Sequence, residues 1–84
     1  MGIKTEWFVY IVLCKDNTLY TGISNNIIKR VHKHNIGKGA RYTRTRRPVK
    51  LVYTEGPFTK SGACKKEILY KSYSKKKKLS LITS

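Results

Sequence analysis

The sequence predicts an α+β fold with one small sheet and a few helices. Two runs of aromatic, β-branched and aliphatic residues, Trp7 to Cys14 and Leu19 to Ser24, are separated by a short polar segment and predict a β-hairpin. Val49 to Tyr53 is a third run of this kind, and Gly56-Pro57 is expected to end it. At 84 residues the chain has room for one domain, which we place over residues 1–84. A domain this short buries only about 60% of its unfolded-chain surface, so its core should be small.

The first helix is predicted directly after the hairpin. Ser24 or Asn25 can cap its first turn, and it should run to about Asn35. Gly37 and Gly39 follow and are expected to end it, since glycine readily adopts the conformations that terminate helices.

The segment from Lys38 to Arg47 predicts a basic loop. It is rich in Arg, Thr and Gly, and Pro48 disfavours a helical conformation at the residue before it. After the third strand, Thr59 or Ser61 can open a second helix that lasts to about Tyr73.

The charge of the chain indicates a polyanionic partner. Nineteen Lys and Arg residues against four Asp and Glu residues give a net charge of +15, and self-repulsion of that size opposes a compact state unless polyanions screen it. A nucleic-acid backbone is the simplest such partner. We predict a basic C-terminal tail from about residue 74, with like charges from Lys75 to Lys78 and with Leu79 to Ile82 packing back. The candidate phosphate-contacting residues lie in the basic loop: Lys38, Arg41, Arg44, Arg46 and Arg47.

Cysteine usage and hydropathy predict a cytoplasmic protein that does not bind membranes. Cys14 and Cys64 are too few and too far apart in sequence to make a disulfide framework or a zinc-ligand set by themselves, so we expect reduced, buried thiols. Apolar runs stay far shorter than the roughly 18 residues of a spanning helix. The N-terminus also lacks the basic and then apolar pattern of a secretory signal.

Tyr10 and Tyr20 lie one on each strand of the predicted hairpin. A two- or four-residue loop would put them on opposite faces, whereas a three-residue loop or a bulge would put them on one face. Asp16-Asn17 favours the second case, because asparagine tolerates the left-handed conformation that closes such a turn. Gly22 shares the face of Tyr20 and should leave space for a ligand beside that phenol. Ordinary strand packing explains two tyrosines equally well at this point.

Arg30 and His34 are stacked neighbours on the first helix. They lie four residues apart, on one edge of the stripe expected to pack on the sheet, where they would stay in contact with water. An arginine can bind phosphate in a bidentate manner, and a histidine can accept or relay a proton near neutral pH. A solvated edge is the alternative in so basic a chain, and His32 is expected to be such a surface residue. The stripe consists of Ile27, Ile28, Val31 and Asn35.

Glu67 is an acidic residue where the pattern predicts contact with the sheet. Its helical neighbours are Ala63, Cys64, Tyr70 and Lys71, and a carboxylate at such a position needs a partner. Lys71, one turn later, could be that partner, and so could a hard divalent cation such as Mg²⁺. The other acidic residues have ordinary locations: Glu6 near the terminus, Asp16 in a turn and Glu55 at a strand end.

Several segments together resemble the GIY-YIG nuclease superfamily, in particular its short stand-alone members. The resemblance covers about Trp7 to Ile82, and its pieces stand in the order and spacing of that family. In chain order the pieces are Val9-Tyr10-Ile11, Leu19-Tyr20-Thr21-Gly22-Ile23, Arg30 with His34, the basic loop closing in Arg46-Arg47-Pro48, and Ala63 with Glu67.

The resemblance implies a three-stranded antiparallel sheet flanked by helices and a metal-dependent endonuclease acting on DNA, with RNA as a further candidate. Tyr10, helped by His34, would activate the attacking water, and Tyr20 would position the phosphate. Arg30 would stabilise charge on the phosphate oxygens, together with Mg²⁺ or Mn²⁺ on Glu67.

The sequence also departs from the family pattern. Phe8-Val9 stands where the first motif half nominally has Gly-Ile, and Thr21 replaces the central Ile of the second half. Some members carry an asparagine after the metal-binding glutamate, whereas this sequence has no Asn beyond Asn35. A non-catalytic nucleic-acid-binding module is the main alternative function. A basic structural protein of a ribonucleoprotein would also explain the charge but would leave Glu67 unexplained.

Overall fold

The computed structural model describes residues 5–83 and contains one antiparallel sheet with helices on both faces. Both limits of the predicted domain, residues 1 and 84, lie outside this range. The elements in chain order are β1 (Trp7–Leu13), β2 (Leu19–Ser24), α1 (Ile27–Asn35), α2 (Arg41–Arg44), β3 (Lys50–Phe58), α3 (Lys60–Lys71) and α4 (Lys75–Thr83).

The sheet has the strand order β2-β1-β3, and β1 pairs with both neighbours in antiparallel fashion. Tyr10 and Val12 point to one face, where Ile27 and Val31 of α1 pack against them. Tyr53 and Glu55 lie opposite Ile11 and Val9 and therefore point to the other face. Tyr70 of α3 reaches Glu55 there, so α3 covers this second face. The predicted α+β fold, with a three-stranded antiparallel sheet flanked by helices, is confirmed.

The hairpin has the three-residue turn that places both tyrosines on one face. The Cys14 backbone N–H donates to the Thr18 carbonyl at 2.8 Å, and Asn17 has a φ of 69°, in the left-handed region. This turn sets the register in which Tyr10 lies opposite Gly22 and Val12 lies opposite Tyr20. Because residues directly opposite each other share a face, Tyr10 and Tyr20 point to the same side, as the turn sequence indicates.

The first helix begins later than the sequence predicts. Asn26 is its cap, with extended backbone angles, and its side-chain oxygen accepts from the Lys29 N–H at 3.1 Å. The Ser24 hydroxyl accepts from the Asn26 N–H at 2.9 Å and so holds the chain just before the cap. The second helix begins as predicted, since the Thr59 hydroxyl caps it by accepting from the Gly62 N–H at 3.0 Å. It ends at Lys71, slightly before the predicted end.

Two other predictions of local structure were wrong, and the tail forms a helix that the sequence did not predict. The basic loop contains the short helix α2, whose four residues are too few to give a periodic signal. Strand β3 continues through Gly56-Pro57. An edge strand can include a proline. Gly56, which has a φ of 147°, lies against Phe8 of the neighbouring strand. The predicted tail forms α4, which starts where the Ser74 hydroxyl accepts from the Lys77 N–H at 3.2 Å. Lysines favour a helix once it is started.

None of the helices between residues 5 and 83 is long and apolar enough to cross a membrane.

Candidate active site

Tyr10 and His34 form the buried centre of the candidate site. Tyr10 lies on the central strand and His34 on α1, and neither side chain is exposed to solvent. The Tyr10 hydroxyl is 2.7 Å from His34 Nε2. The sequence predicted a water-exposed His34, which was wrong. The inner side of α1 is formed by Ile27, Val31 and His34, whereas Ile28, expected to point inward, is 86% exposed.

Thr43 determines which nitrogen of His34 carries the proton. The Thr43 hydroxyl donates to the Ala40 carbonyl at 3.1 Å, so its oxygen is left to accept from His34 Nδ1 at 2.8 Å. A neutral imidazole that donates through Nδ1 accepts through Nε2. The Tyr10 hydroxyl therefore donates to His34 Nε2. The result is a directed chain of hydrogen bonds from Tyr10 through His34 and Thr43 to the backbone of Ala40.

Arg30 lies beside this chain on the preceding turn of α1. Its Nε is 3.5 Å from the Tyr10 hydroxyl, and its side chain is half-buried. Burial lowers the pKa of His34 below its ordinary value, and the Arg30 charge lowers it further. His34 is therefore neutral at neutral pH. Burial raises the pKa of Tyr10, although the hydrogen bond from Arg30 acts in the opposite direction. The phenol therefore keeps its proton at neutral pH.

Tyr20 connects the buried centre to the surface at the edge strand β2. Its ring contacts the His34 ring edge-on at a centroid distance of 5.4 Å. On its other side it stacks on Tyr42 of α2 at 5.8 Å. The Lys71 ammonium of α3 is 5.6 Å from the centre of the Tyr20 ring. Side chains from the helices on both faces thus meet around β2.

Glu67 lies at the same edge of the sheet, paired with Lys71. Its Oε2 atom is 3.6 Å from the Lys71 ammonium, and its side chain keeps 24% of its surface exposed. Its charge contributes, as a minor cause, to the raised pKa of Tyr10. Lys71, one of the two partners that the sequence left open, is thus in contact with Glu67. Within residues 5–83, His, Cys, Asp and Glu side chains do not gather in groups of three or more that could hold a metal ion.

Two glycines make room for the buried pair. A Cβ atom at Gly22 would lie 2.5 Å from the Tyr10 hydroxyl oxygen and 2.7 Å from Cζ of the same ring. The space beside Gly22 is thus filled by Tyr10, and the prediction of an open space for a ligand was wrong. At Gly39, a Cβ atom would overlap Nδ1 and Cγ of His34.

The five predicted phosphate-contacting residues differ in their surroundings. Arg46 pairs with Asp16 at 2.9 Å and donates to the Tyr42 carbonyl at 2.7 Å. Arg47 donates to the Arg44 carbonyl at 2.9 Å, and both arginines therefore also hold the chain around α2 in place. The other members of the set, Lys38, Arg41 and Arg44, are exposed. A wide depression of about 640 Å³ is lined by Asn35, Arg44, Thr45, Arg47 and Pro48.

Two important residues were not identified from the sequence. Thr43 lay in a predicted loop, and no pattern connected it to His34. Glu55 was assigned to a strand end but lies within β3, where Tyr53 and Tyr70 donate to its Oε1 atom at 2.7 and 2.6 Å and Lys66 lies 3.5 Å from Oε2. Although burial acts to raise the pKa of Glu55, these partners hold it below its ordinary value. Burial and the bond to Glu55 raise the pKa of Tyr70 to about 12. This network fixes α3 on the sheet close to Glu67.

Two other side chains are where the sequence predicts them, and one is not. His32 is exposed, and Cys14 is buried directly after the first strand. Cys64 lies on α3 but is only half-buried, so the prediction of a buried thiol was wrong there.

The fold and the site together define a small nuclease-type domain. The sequence model of the GIY-YIG catalytic domain matches residues 6–80, and the chain belongs to this family. The candidate site residues described above, which are the two tyrosines of the hairpin, Arg30 and His34 on α1, and Glu67 on α3, all lie within the matched range.

Within this family the chain is similar to the proteins designated UPF0213. A UPF0213 protein of Staphylococcus saprophyticus is 55% identical over 90% of this chain and 93% of its own length. One from Staphylococcus aureus is 56% identical over 89% of this chain and 92% of its own. A solution structure of a UPF0213 protein from Bacillus halodurans is 42% identical, with a TM-score of 0.59 over 92% of this chain and 82% of that one. A solution structure of the protein EF2693 from E. faecalis is 38% identical, with a TM-score of 0.61 over 99% of this chain and 90% of that one.

Proposed function

We propose that this protein is a divalent-metal-dependent endonuclease that hydrolyses phosphodiester bonds in DNA, single-stranded and branched forms included. Membership of the GIY-YIG family supports a nuclease reaction in general. The observation that carries the proposal is the directed chain from the Tyr10 hydroxyl to His34 and Thr43, because it supplies a neutral imidazole as proton acceptor. The two free thiols support action in a reducing compartment, the cytoplasm.

The proton transfer explains how a phenol with a raised pKa can take part in base catalysis. A phenol with an ordinary pKa near 10 is already a poor base at neutral pH. If the Tyr10 oxygen accepts a proton from the attacking water while passing its own proton to His34 Nε2, the imidazole is the net base. The water oxygen then forms the new bond to phosphorus, and the bond to the leaving oxygen breaks.

Arg30 and Tyr20 have supporting roles in this reaction. The Arg30 guanidinium lies next to the Tyr10 hydroxyl, so a phosphate approached by the water would lie within reach of its charge. Tyr20 packs against His34 and holds the edge of the site, where it would position the phosphate.

Glu67 is the residue that would hold the metal ion. Mg²⁺ and Mn²⁺ prefer oxygen ligands, and Mg²⁺ is often bound through one or two carboxylates with substrate phosphates and waters, so a single carboxylate fits. Its pair with Lys71 is partly exposed, and exposed pairs contribute only about 0–1 kcal/mol, so a cation can replace Lys71 at little cost. Once bound, the cation would stabilise negative charge on the phosphate and leaving oxygens.

The test is cleavage by wild-type protein and by a Glu67→Gln variant in Mg²⁺ or Mn²⁺. Single-stranded, duplex and branched DNA would be compared, with RNA in parallel, and Glu6→Gln would serve as a control that removes the same charge from an exposed position near the terminus. We expect Glu67→Gln to abolish cleavage but not salt-sensitive binding, while Glu6→Gln cleaves normally. Equal inertness of wild type and Glu67→Gln across metals and substrates would instead favour the non-catalytic binding module.

A further inference from the structure

Two cavities lie at the two ends of the edge strand β2, on either side of the candidate active site. The first measures about 250 Å³ and adjoins the end of the strand; it is lined by Trp7, Ile23, Ser24, Asn25, Asn26, Lys29, Arg30 and Lys33. The second measures about 210 Å³ and adjoins the start; it is lined by Thr18, Leu19, Tyr42, Lys75 and Lys78. Apart from Arg30, the residues that line the two cavities have no role in the reaction described above.

The first cavity combines an aromatic ring with positive charge. Trp7 provides an indole surface, and Lys29 and Lys33 provide two exposed ammonium groups. The Lys60 ammonium also lies 5.1 Å from the centre of the indole ring. A flat ring for a base next to cations for phosphates is the combination that binds single nucleic-acid strands. Arg30 lines this cavity and also contacts Tyr10, so one side chain belongs to both the cavity and the candidate active site.

The second cavity has the same two components. Tyr42 provides a ring that is 39% exposed and stacks on Tyr20 of the active site. Lys75 and Lys78 of α4 provide the charge. Burial lowers the pKa of Lys78, and the nearby Lys71 charge lowers it further. A phosphate bound beside Lys78 would offset the repulsion from Lys71, which favours an anionic ligand here.

We propose that one nucleic-acid strand lies along β2, with the nucleotides on either side of the central phosphate held in the two cavities. The six residues of β2 span about 20 Å at about 3.3 Å per residue, so cavities at its two ends are far enough apart to hold different nucleotides of one strand. The assignment of the central phosphate as the one that is cleaved rests on the proposed function. The strand path itself does not.

Binding without metal tests the path separately from catalysis. A labelled single-stranded DNA oligonucleotide, and its RNA equivalent, would be titrated in the presence of a chelator at several salt concentrations. Each phosphate contact to a single strand contributes about 0.7 to the slope of log K against log salt. Lys29→Ser with Lys33→Ser, and Lys75→Ser with Lys78→Ser, should each lower that slope by about 1.4. Two controls should leave the slope unchanged: Lys76→Ser, on α4 but outside the cavity, and Lys50→Ser, on the opposite edge strand.

Trp7 gives a direct second readout of the first cavity. It is the single tryptophan of the sequence, so intrinsic fluorescence reports on this position. Binding of the oligonucleotide should quench that fluorescence, whereas an abasic oligonucleotide of the same length should quench it less. The proposal is overturned if the cavity variants and the two control variants lower the salt slope equally, or if saturating oligonucleotide leaves the fluorescence unchanged. If the protein binds in this manner but never cleaves, the strand path is supported and the proposed function is wrong.

Discussion

Replacing Thr43 with valine tests whether one buried hydroxyl orients the proton-transfer chain. Valine keeps the shape of threonine but removes the acceptor for His34 Nδ1 and the donor to the Ala40 carbonyl. Ala40 keeps a second bond, from the Arg44 N–H at 3.2 Å, so the main loss is at the imidazole. Leaving a buried donor without a partner costs about 1–3 kcal/mol. For a domain of this size, 1 kcal/mol corresponds to about 4–8 °C in Tm, so we expect a decrease of about 8–16 °C for a cost near 2 kcal/mol.

The same substitution should change the tautomer of His34. With no acceptor at Nδ1, the imidazole gains by placing its proton on Nε2, where it can donate to the Tyr10 oxygen. Tyr10 then has no proton acceptor, and cleavage should fall by about 10²–10⁴-fold, the usual contribution of general-base catalysis. Nitrogen chemical shifts of the imidazole, thermal unfolding and single-turnover cleavage measure the three effects. Thr43→Ser restores the hydroxyl and should return tautomer and activity toward wild type.

Two outcomes would refute this reasoning. If Thr43→Val unfolds at the wild-type temperature and keeps its proton on Nδ1, then Thr43 does not set the tautomer. If Thr43→Ser is as impaired as Thr43→Val, the methyl group and its packing matter, and the hydroxyl does not.

Two further substitutions test the packing around the site by thermal unfolding. Gly22→Ala places a Cβ atom 2.5 Å from the Tyr10 hydroxyl oxygen and should lower the free energy of unfolding by about 1–3 kcal/mol. In the control Gly62→Ala, the nearest neighbour of the new Cβ atom is the Thr59 hydroxyl at 3.2 Å, so stability should stay within about 1 kcal/mol of wild type. Equal effects of the two substitutions would contradict the clash. Thr21→Val should stabilise the protein by about 1 kcal/mol, because the buried Thr21 hydroxyl has no hydrogen-bond partner among the described residues, and a destabilised variant would show that this hydroxyl is satisfied.

Local rules were sufficient for the hairpin and for α3. The left-handed Asn17 fixes a three-residue turn, and the turn fixes the register that places Tyr10 and Tyr20 on one face. Thr59 caps α3 where the sequence predicts it. The rotation of α1 could not be obtained in this way. Its inner side depends on packing across the sheet, and that packing buries His34 and exposes Ile28, whose apolar character predicts the reverse.

The sequence predicted the candidate site as a set of residues, but it did not predict the network that connects them. The order and spacing of the sequence motifs indicated the tyrosines, Arg30, His34 and Glu67, because motifs are recognised by the positions of residues along the chain. The bond between Tyr10 and His34 spans 24 residues and the bond between His34 and Thr43 spans 9. Such bonds depend on where α2 and the sheet come to lie, and a four-residue helix without a periodic pattern gives no signal of its position.

The two glycines show where the sequence did contain information about this network. Gly22 and Gly39 are positions at which any side chain would enter the space of Tyr10 or His34, so the buried pair is specified as much by these missing side chains as by its own residues. A glycine within a strand can indicate a close approach, and the sequence predicted that a ligand makes that approach at Gly22. The glycine itself could not indicate whether a ligand or another part of the chain makes that approach. The phenol of Tyr10 makes this approach. The position where a ligand was expected is therefore occupied by the tyrosine of the proton-transfer chain.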